Sequence, residues 1–182
     1  MLEGITEYAQ AEVAAYAILP SIGTHRIFVY VKGRAQEGDV LPQDRLGFAR
    51  YDDFQIVAPE LGLLAFAESD RVRGYKDVAL GNRMAFGTLE YRTPLLPSLR
   101  TQVLGLVSFG STTLSAFADA GAVWNDTRVV SERLGVGGEV KNLLNIGGIN
   151  FMHAIGIAQP AEELGNTDVY EWYYRIRATI PF

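Results

Sequence analysis

The chain has 182 residues, 48% of them hydrophobic, a formal net charge of −5 and no cysteine. That length supports one domain with a real core, and the acidic balance gives no electrostatic basis for binding nucleic acid. Absence of cysteine excludes disulfides, thiolate metal sites and a cysteine nucleophile. No stretch approaches the run of apolar residues that a membrane-spanning helix needs. The N-terminal segment carries Glu3, Glu7 and Glu12 and lacks the basic and apolar regions of a signal peptide, so any export signal is expected outside this chain.

Period-two alternation, interrupted by turn residues, dominates the chain. It predicts a first strand over residues 4–19 and, after a short turn at 20–25, a second over 24–37. The second sets Ile27, Val29 and Val31 against Arg26, Phe28, Tyr30, Lys32 and Arg34. A long irregular connection spans about 38–81, and strands are expected at 82–94 and 112–124. The latter sets Leu114, Ala116, Ala118, Ala120, Ala122 and Trp124 against Ser115, Phe117, Asp119 and Gly121. Residues 95–111 read as an extended connection, because another spanning strand would reverse the up-down sense of every later one. Strands at 131–142, 149–160 and 170–181 complete the series. In the last, Tyr170, Trp172, Tyr174, Ile176, Ala178, Ile180 and Phe182 share one face, and Glu171, Tyr173, Arg175 and Arg177 share the other. A charge at Ile176 should therefore be costly and one at Arg175 tolerated.

Such two-sided strands fit either a wall of a soluble sandwich or a stave of a membrane barrel with lipid outside and a polar lumen inside. Several exceed the five or six residues usual in soluble sheets and suit tilted membrane-spanning strands. The connections at 20–25 and 145–148 are short, whereas those at 37–81, 125–132 and 161–168 are longer and more polar. Outer-membrane barrels show this contrast between their two ends. Seven strands is an odd number, and a bacterial single-chain barrel has an even one, so an all-β antiparallel transmembrane β-barrel is expected in part only.

Enzyme chemistry finds no foothold. His25 and His153 lie far apart and outside any metal-ligand spacing, so neither a metal nor a cofactor is expected. The Gly135-Val136-Gly137-Gly138 run fits no phosphate or dinucleotide loop and reads as a tightly curved strand. No catalytic set can be nominated. Arg73, near the end of the long connection, would ordinarily be a solvated loop arginine. However, Asp119, Glu90 and Arg92 all fall on polar strand faces, and a carboxylate facing a lumen needs a partner or water. A loop that folds back inside could bring Arg73 to one as a bidentate pair.

Four features in order carry a family resemblance: Val72-Arg73-Gly74-Tyr75, the strand ending Glu90 to Pro94, the Phe117-Ala118-Asp119-Ala120-Gly121 stretch, and a last strand ending in Phe182. Together they resemble the C-terminal barrel portion of the BamA/TamA-type outer-membrane assembly-factor family, also called the bacterial surface antigen family. The resemblance covers about 66–182 by motif and 4–37 by pattern. It implies that residues 1–182 form about seven strands of a sixteen-stranded barrel. It further implies that an external loop at about 38–81 folds into the lumen. There Val72, Arg73, Gly74 and Tyr75 would form the docking tip, with Asp119 the principal partner on the barrel wall and Glu90 a second. Tyr174, Ile176 and Phe182 would form the C-terminal signal for insertion. Trp124, Trp172 and Tyr170 would sit in interfacial aromatic girdles.

The function so implied is non-enzymatic: inserting outer-membrane proteins, or translocating polypeptides, in the outer membrane of a Gram-negative bacterium. Expected partners are outer-membrane lipid, client outer-membrane or secreted polypeptides, and accessory assembly proteins. Two other functions fit the strand pattern alone, a small outer-membrane pore or structural barrel and a soluble ligand-binding β-barrel.

Overall fold

The structure is a computed structural model that describes residues 7–41, 44–48, 54–57, 71–97, 101–103, 106–126, 128–147 and 149–179. It contains eleven strands in chain order: β1 (Tyr8–Pro20), β2 (Arg26–Gly38), β3 (Leu46–Phe48), β4 (Phe54–Val57), β5 (Ala79–Gly81), β6 (Arg83–Leu96), β7 (Thr101–Val103), β8 (Val107–Asn125), β9 (Arg128–Ile146), β10 (Ile149–Pro160) and β11 (Glu171–Thr179). The seven long ones form one antiparallel wall in the order β1-β2-β6-β8-β9-β10-β11. These are the seven strands that alternation predicts, each shifted by a few residues. The wall is antiparallel β throughout, as a portion of a β-barrel requires.

The two faces of the wall are chemically opposite. Val31, Leu89, Ile155 and Trp172 point outward and are 50–66% exposed, whereas Lys32, Glu90, Asp119 and Glu139 point inward and are 0–5% exposed. The exposed outer face is apolar and the charges of the wall are turned inward, which suits lipid outside and a filled lumen within. No helix among the described residues is long and apolar enough to cross a membrane, which has no bearing on crossing by strands.

The described parts of the long connection hold regular structure. Leu46–Phe48 and Ala79–Gly81 pair as a small antiparallel sheet of two strands, β3 and β5. Phe54–Val57 runs parallel to β11 along residues Tyr174 to Arg177, the one parallel pairing among the described strands. Residues Leu46, Phe48, Val72 and Ala79 of the loop pack against Met84, Phe86 and Val123 of the wall in a buried apolar cluster. This packing, together with the pairing of β4 with β11, holds the described parts of the loop against the wall.

Two connections differ from expectation. Residues 125–132 form no long polar loop: β8 and β9 each run 19 residues and are joined by only two, with Asp126 at φ +44°. Val129 and Val130 continue the strand pattern, and an aspartate tolerates the left-handed backbone that a two-residue hairpin turn demands. A 19-residue strand spans roughly 60 Å along its length, more than a tilted strand needs to cross a hydrocarbon layer of about 30 Å. At the other end, residues 95–111 hold the short β7 paired with the start of β8, so the up-down sense of the wall is kept.

Candidate functional site

Inward positions on three neighbouring strands, β6, β8 and β9, and on β11, one strand further along the wall, converge beneath the loop tip. β6 contributes Thr88, Glu90 and Arg92, β8 contributes Ser115, Phe117 and Asp119, β9 contributes Glu139 and Lys141, and β11 contributes Tyr173 and Arg175. Period-two alternation puts each set on one face, and the registers Thr88↔Asp119 and Ser115↔Glu139 bring the sets side by side.

Arg73 descends into this cluster and is 6% exposed. Its Nε donates to Asp119 Oδ2 at 2.6 Å and its Nη2 to Asp119 Oδ1 at 2.7 Å, a bidentate fork. The backbone N–H of Arg73 donates to the same Oδ2 at 3.2 Å. Nη1 reaches Glu139 Oε1 at 3.1 Å, and Nη2 lies 3.1 Å from Thr88 Oγ1 and 3.2 Å from Glu90 Oε1. The guanidinium lies over the Phe117 ring, 3.4 Å from its centroid. A planar, delocalised cation suits such stacking and forked recognition. Burial alone would lower the Arg73 pKa, but the hydrogen bond and charge of Asp119, followed by the charge of Glu139, hold it well above its ordinary value. Arg73 is therefore a permanent cation here.

The carboxylates have further partners on the wall. Glu139 bonds Lys141 and Arg175 at 2.6 Å each and accepts from the Tyr173 hydroxyl at 2.9 Å. Glu90 bonds Arg92 at 2.6 Å and Lys141 at 2.9 Å. Three carboxylates that are almost fully buried thus face four cations, where each added partner offsets part of the desolvation of the others. Among the described residues the arrangement is a net of ion pairs, which suits holding the loop tip in position.

Glycines make the close approach possible. A Cβ at Gly135 would collide with the carbonyl oxygen of Arg73, and one at Gly121 would collide with the Phe48 ring and Val72. Gly74 sits at φ +97°, where a side chain is strained, and it lies against the backbone of Gln159. The expectation of a tightly curved strand at Gly135 to Gly138 needs a physical refinement: the bare backbone at Gly135 is the bed on which the loop tip lies.

The structure therefore brings Arg73 together with both Asp119 and Glu90, and places Val72 and Tyr75 in or against the buried apolar cluster. Tyr174 and Ile176 belong to the outward face of β11, paired with Ile155 and His153. Phe182 and Ile180 lie outside the described residues. The sequence reading missed Glu139, Thr88, Lys141 and Arg175. Glu139 carried the same signal as Asp119, an acid at an inward position among Gly135, Gly137 and Lys141. Arg175 needs correction as well: it is bonded to buried Glu139, so a reversed charge there places two carboxylates together and will not be tolerated.

The Omp85 superfamily domain matches residues 64–176, more than half of the chain and the whole of this cluster. The chain belongs to the Omp85 superfamily. Membership gives the β-barrel wall its general setting, the bacterial outer membrane, and its general business, the insertion or translocation of polypeptides without enzymatic chemistry. The Omp85 match opens within the long loop and closes at Ile176 on β11, so loop tip and wall are matched as one unit. Comparison with curated proteins and with solved structures found no match.

Proposed function

We propose that this Omp85 chain is the C-terminal barrel portion of an assembly or translocation factor of the BamA/TamA type, with residues 1–182 as one partial barrel domain. In this reading Val72, Arg73, Gly74 and Tyr75 lock the loop of about 38–81 inside the lumen, with Asp119 and Glu90 as docking partners and Glu139 as a third. The supporting observation is the convergence of Asp119, Glu139 and Glu90 on one cation of the loop, Arg73. A docked loop fills the lumen and keeps the wall in one shape. Client strands would then add at a barrel edge by main-chain pairing, with side-chain pockets contributing little.

Tyr174, Ile176 and Phe182 are proposed as the signal by which this barrel is itself inserted. Its partners are outer-membrane lipid, client outer-membrane or secreted polypeptides, and accessory assembly proteins. The alternative of a small pore or structural barrel shares the wall and differs in having no client. A soluble ligand-binding barrel would leave the apolar outer face of this wall against water.

The test is a reconstituted insertion assay on the protein in lipid vesicles, with an unfolded outer-membrane protein as client. Faster client folding with the wild type than with Arg73→Ala or with empty vesicles supports the reading. Equal rates in all three, with the barrel itself folded, would leave a pore or structural barrel.

A further inference from the structure

Arg133 on β9 makes a second set of contacts with the loop, outside the cluster around Arg73. Its side chain is 2% exposed. Nη2 donates to Asp77 Oδ2 at 2.7 Å and Nη1 to the Asp77 carbonyl oxygen at 3.0 Å, while Nε donates to Ser131 Oγ at 3.2 Å. The guanidinium also lies 5.4 Å from the Phe48 ring and 5.2 Å from the Tyr75 ring. Phe48 belongs to the outgoing limb of the loop, on β3, and Tyr75 and Asp77 to the returning limb. One wall residue therefore touches both limbs.

The backbone around it explains the position. β10 ends at Pro160, opposite Gly135, so the next β9 residue, Leu134, has no strand on that side. The Tyr75 hydroxyl takes over, accepting from the Leu134 N–H at 3.3 Å and lying 3.4 Å from the Leu134 carbonyl oxygen. A backbone donor left unmade at this point would be costly. The loop thus completes the wall where β10 stops, and Arg133 is the adjacent residue on the inward face. The Asp77 side chain is 72% exposed, in contrast to Asp119 at 1%.

We infer that Arg133 is a separate positioning residue for the loop, an outer latch that clasps Asp77 and releases before the Arg73 cluster does. This rests on the loop-lock reading and adds an order to it. The outer pair has one partner open to solvent, so it is screened and replaced by water more readily than the buried inner fork. Release of the outer latch frees the returning limb around Tyr75 and Asp77 and the outgoing limb around Phe48. Arg73 meanwhile keeps its backbone and side-chain bonds to Asp119.

Hydrogen exchange of the full chain folded in lipid vesicles tests it, with Arg133→Met on the wall and Asp77→Asn on the exposed loop side. The latter leaves the wall untouched. Both variants are expected to speed exchange of the amides of residues 75–81 and 46–48 by roughly tenfold, with the Arg73 amide unchanged. Arg133→Lys is expected to behave like Arg133→Met, because an ammonium cannot bridge the carbonyl and carboxylate while lying between two rings. No change at 75–81 in Asp77→Asn would remove the latch. Loss of protection at Arg73 together with 75–81 would make loop and cluster one unit and overturn the order. In wild type, an Arg73 amide that exchanges as fast as free peptide would instead sink the loop-lock reading on which the latch rests.

Discussion

Arg73 meets Asp119 three times, through Nε, Nη2 and its own backbone N–H, and the loop tip is thereby fixed in both position and orientation. A side-chain fork alone fixes the guanidinium; the backbone bond fixes the chain that carries it. Lysine offers no fork, so the contact is specific to arginine in a way that a charge count would not reveal.

The partners of Arg73 are not equivalent. Glu139 serves Arg73, Lys141, Arg175 and Tyr173, while Glu90 serves Arg73, Arg92 and Lys141. Replacing Glu139 by Gln removes a buried charge that faces buried Arg73 and the partly buried Lys141 and Arg175, and should destabilise the folded barrel by about 3–5 kcal/mol. Glu90→Gln should cost less, because Arg92 is partly exposed and Arg73 and Lys141 keep other carboxylates. Urea titrations of the two variants in lipid vesicles would rank them; an equal or reversed ranking would refute the assignment of Glu139 as the hub.

A methyl group on the wall should undock the loop without touching any charge. Gly135→Ala sets a Cβ against the Arg73 carbonyl, whereas a Cβ at Gly33 meets nothing within 4 Å. Gly135→Ala should expose residues 38–80 to protease, and Gly33→Ala should leave them protected. Matching cleavage patterns would mean that the loop does not lie on Gly135.

How much of the molecule is legible in its sequence depends on what each feature is made of. The wall is legible, because alternation such as Tyr170, Trp172 and Tyr174 against Glu171 and Tyr173 is a local property that survives any tertiary arrangement. The Arg73 and Asp119 pair is reached through motif resemblance, with the polar-face position of Asp119 as its physical support. Glu139 and Arg133 go unread. Nothing local distinguishes an inward acid that gains four partners from one that faces water. The hairpin at Asp126 is hidden because its polar residues look like loop, while the Val129 and Val130 pattern and the partner strand decide otherwise. The parallel pairing of β4 with β11 is a long-range contact that four residues of sequence cannot announce.

The outward face can be tested by charge. Ile155 is 53% exposed on the apolar side of β10, and Ile155→Arg should cost about 2–4 kcal/mol in a lipid bilayer. Arg175→Glu should also be costly, for the separate reason that it opposes Glu139 inside. The two causes separate in detergent-to-lipid comparison. Only the Ile155→Arg penalty should grow with bilayer thickness, and a penalty independent of the lipid would reject lipid contact at that position.

The most direct measurement of the central claim is a double-mutant cycle on Arg73→Ala and Asp119→Ala, read by protease access to residues 38–80 in the vesicle-folded protein. Because both groups are buried, each single change should loosen the loop by an amount equivalent to about 3–5 kcal/mol. Their pairing predicts that the double variant is little worse than either single one, and that Arg73→Lys fails to restore protection. Additive losses would mean that the two residues do not act through each other, and the lock would be contradicted.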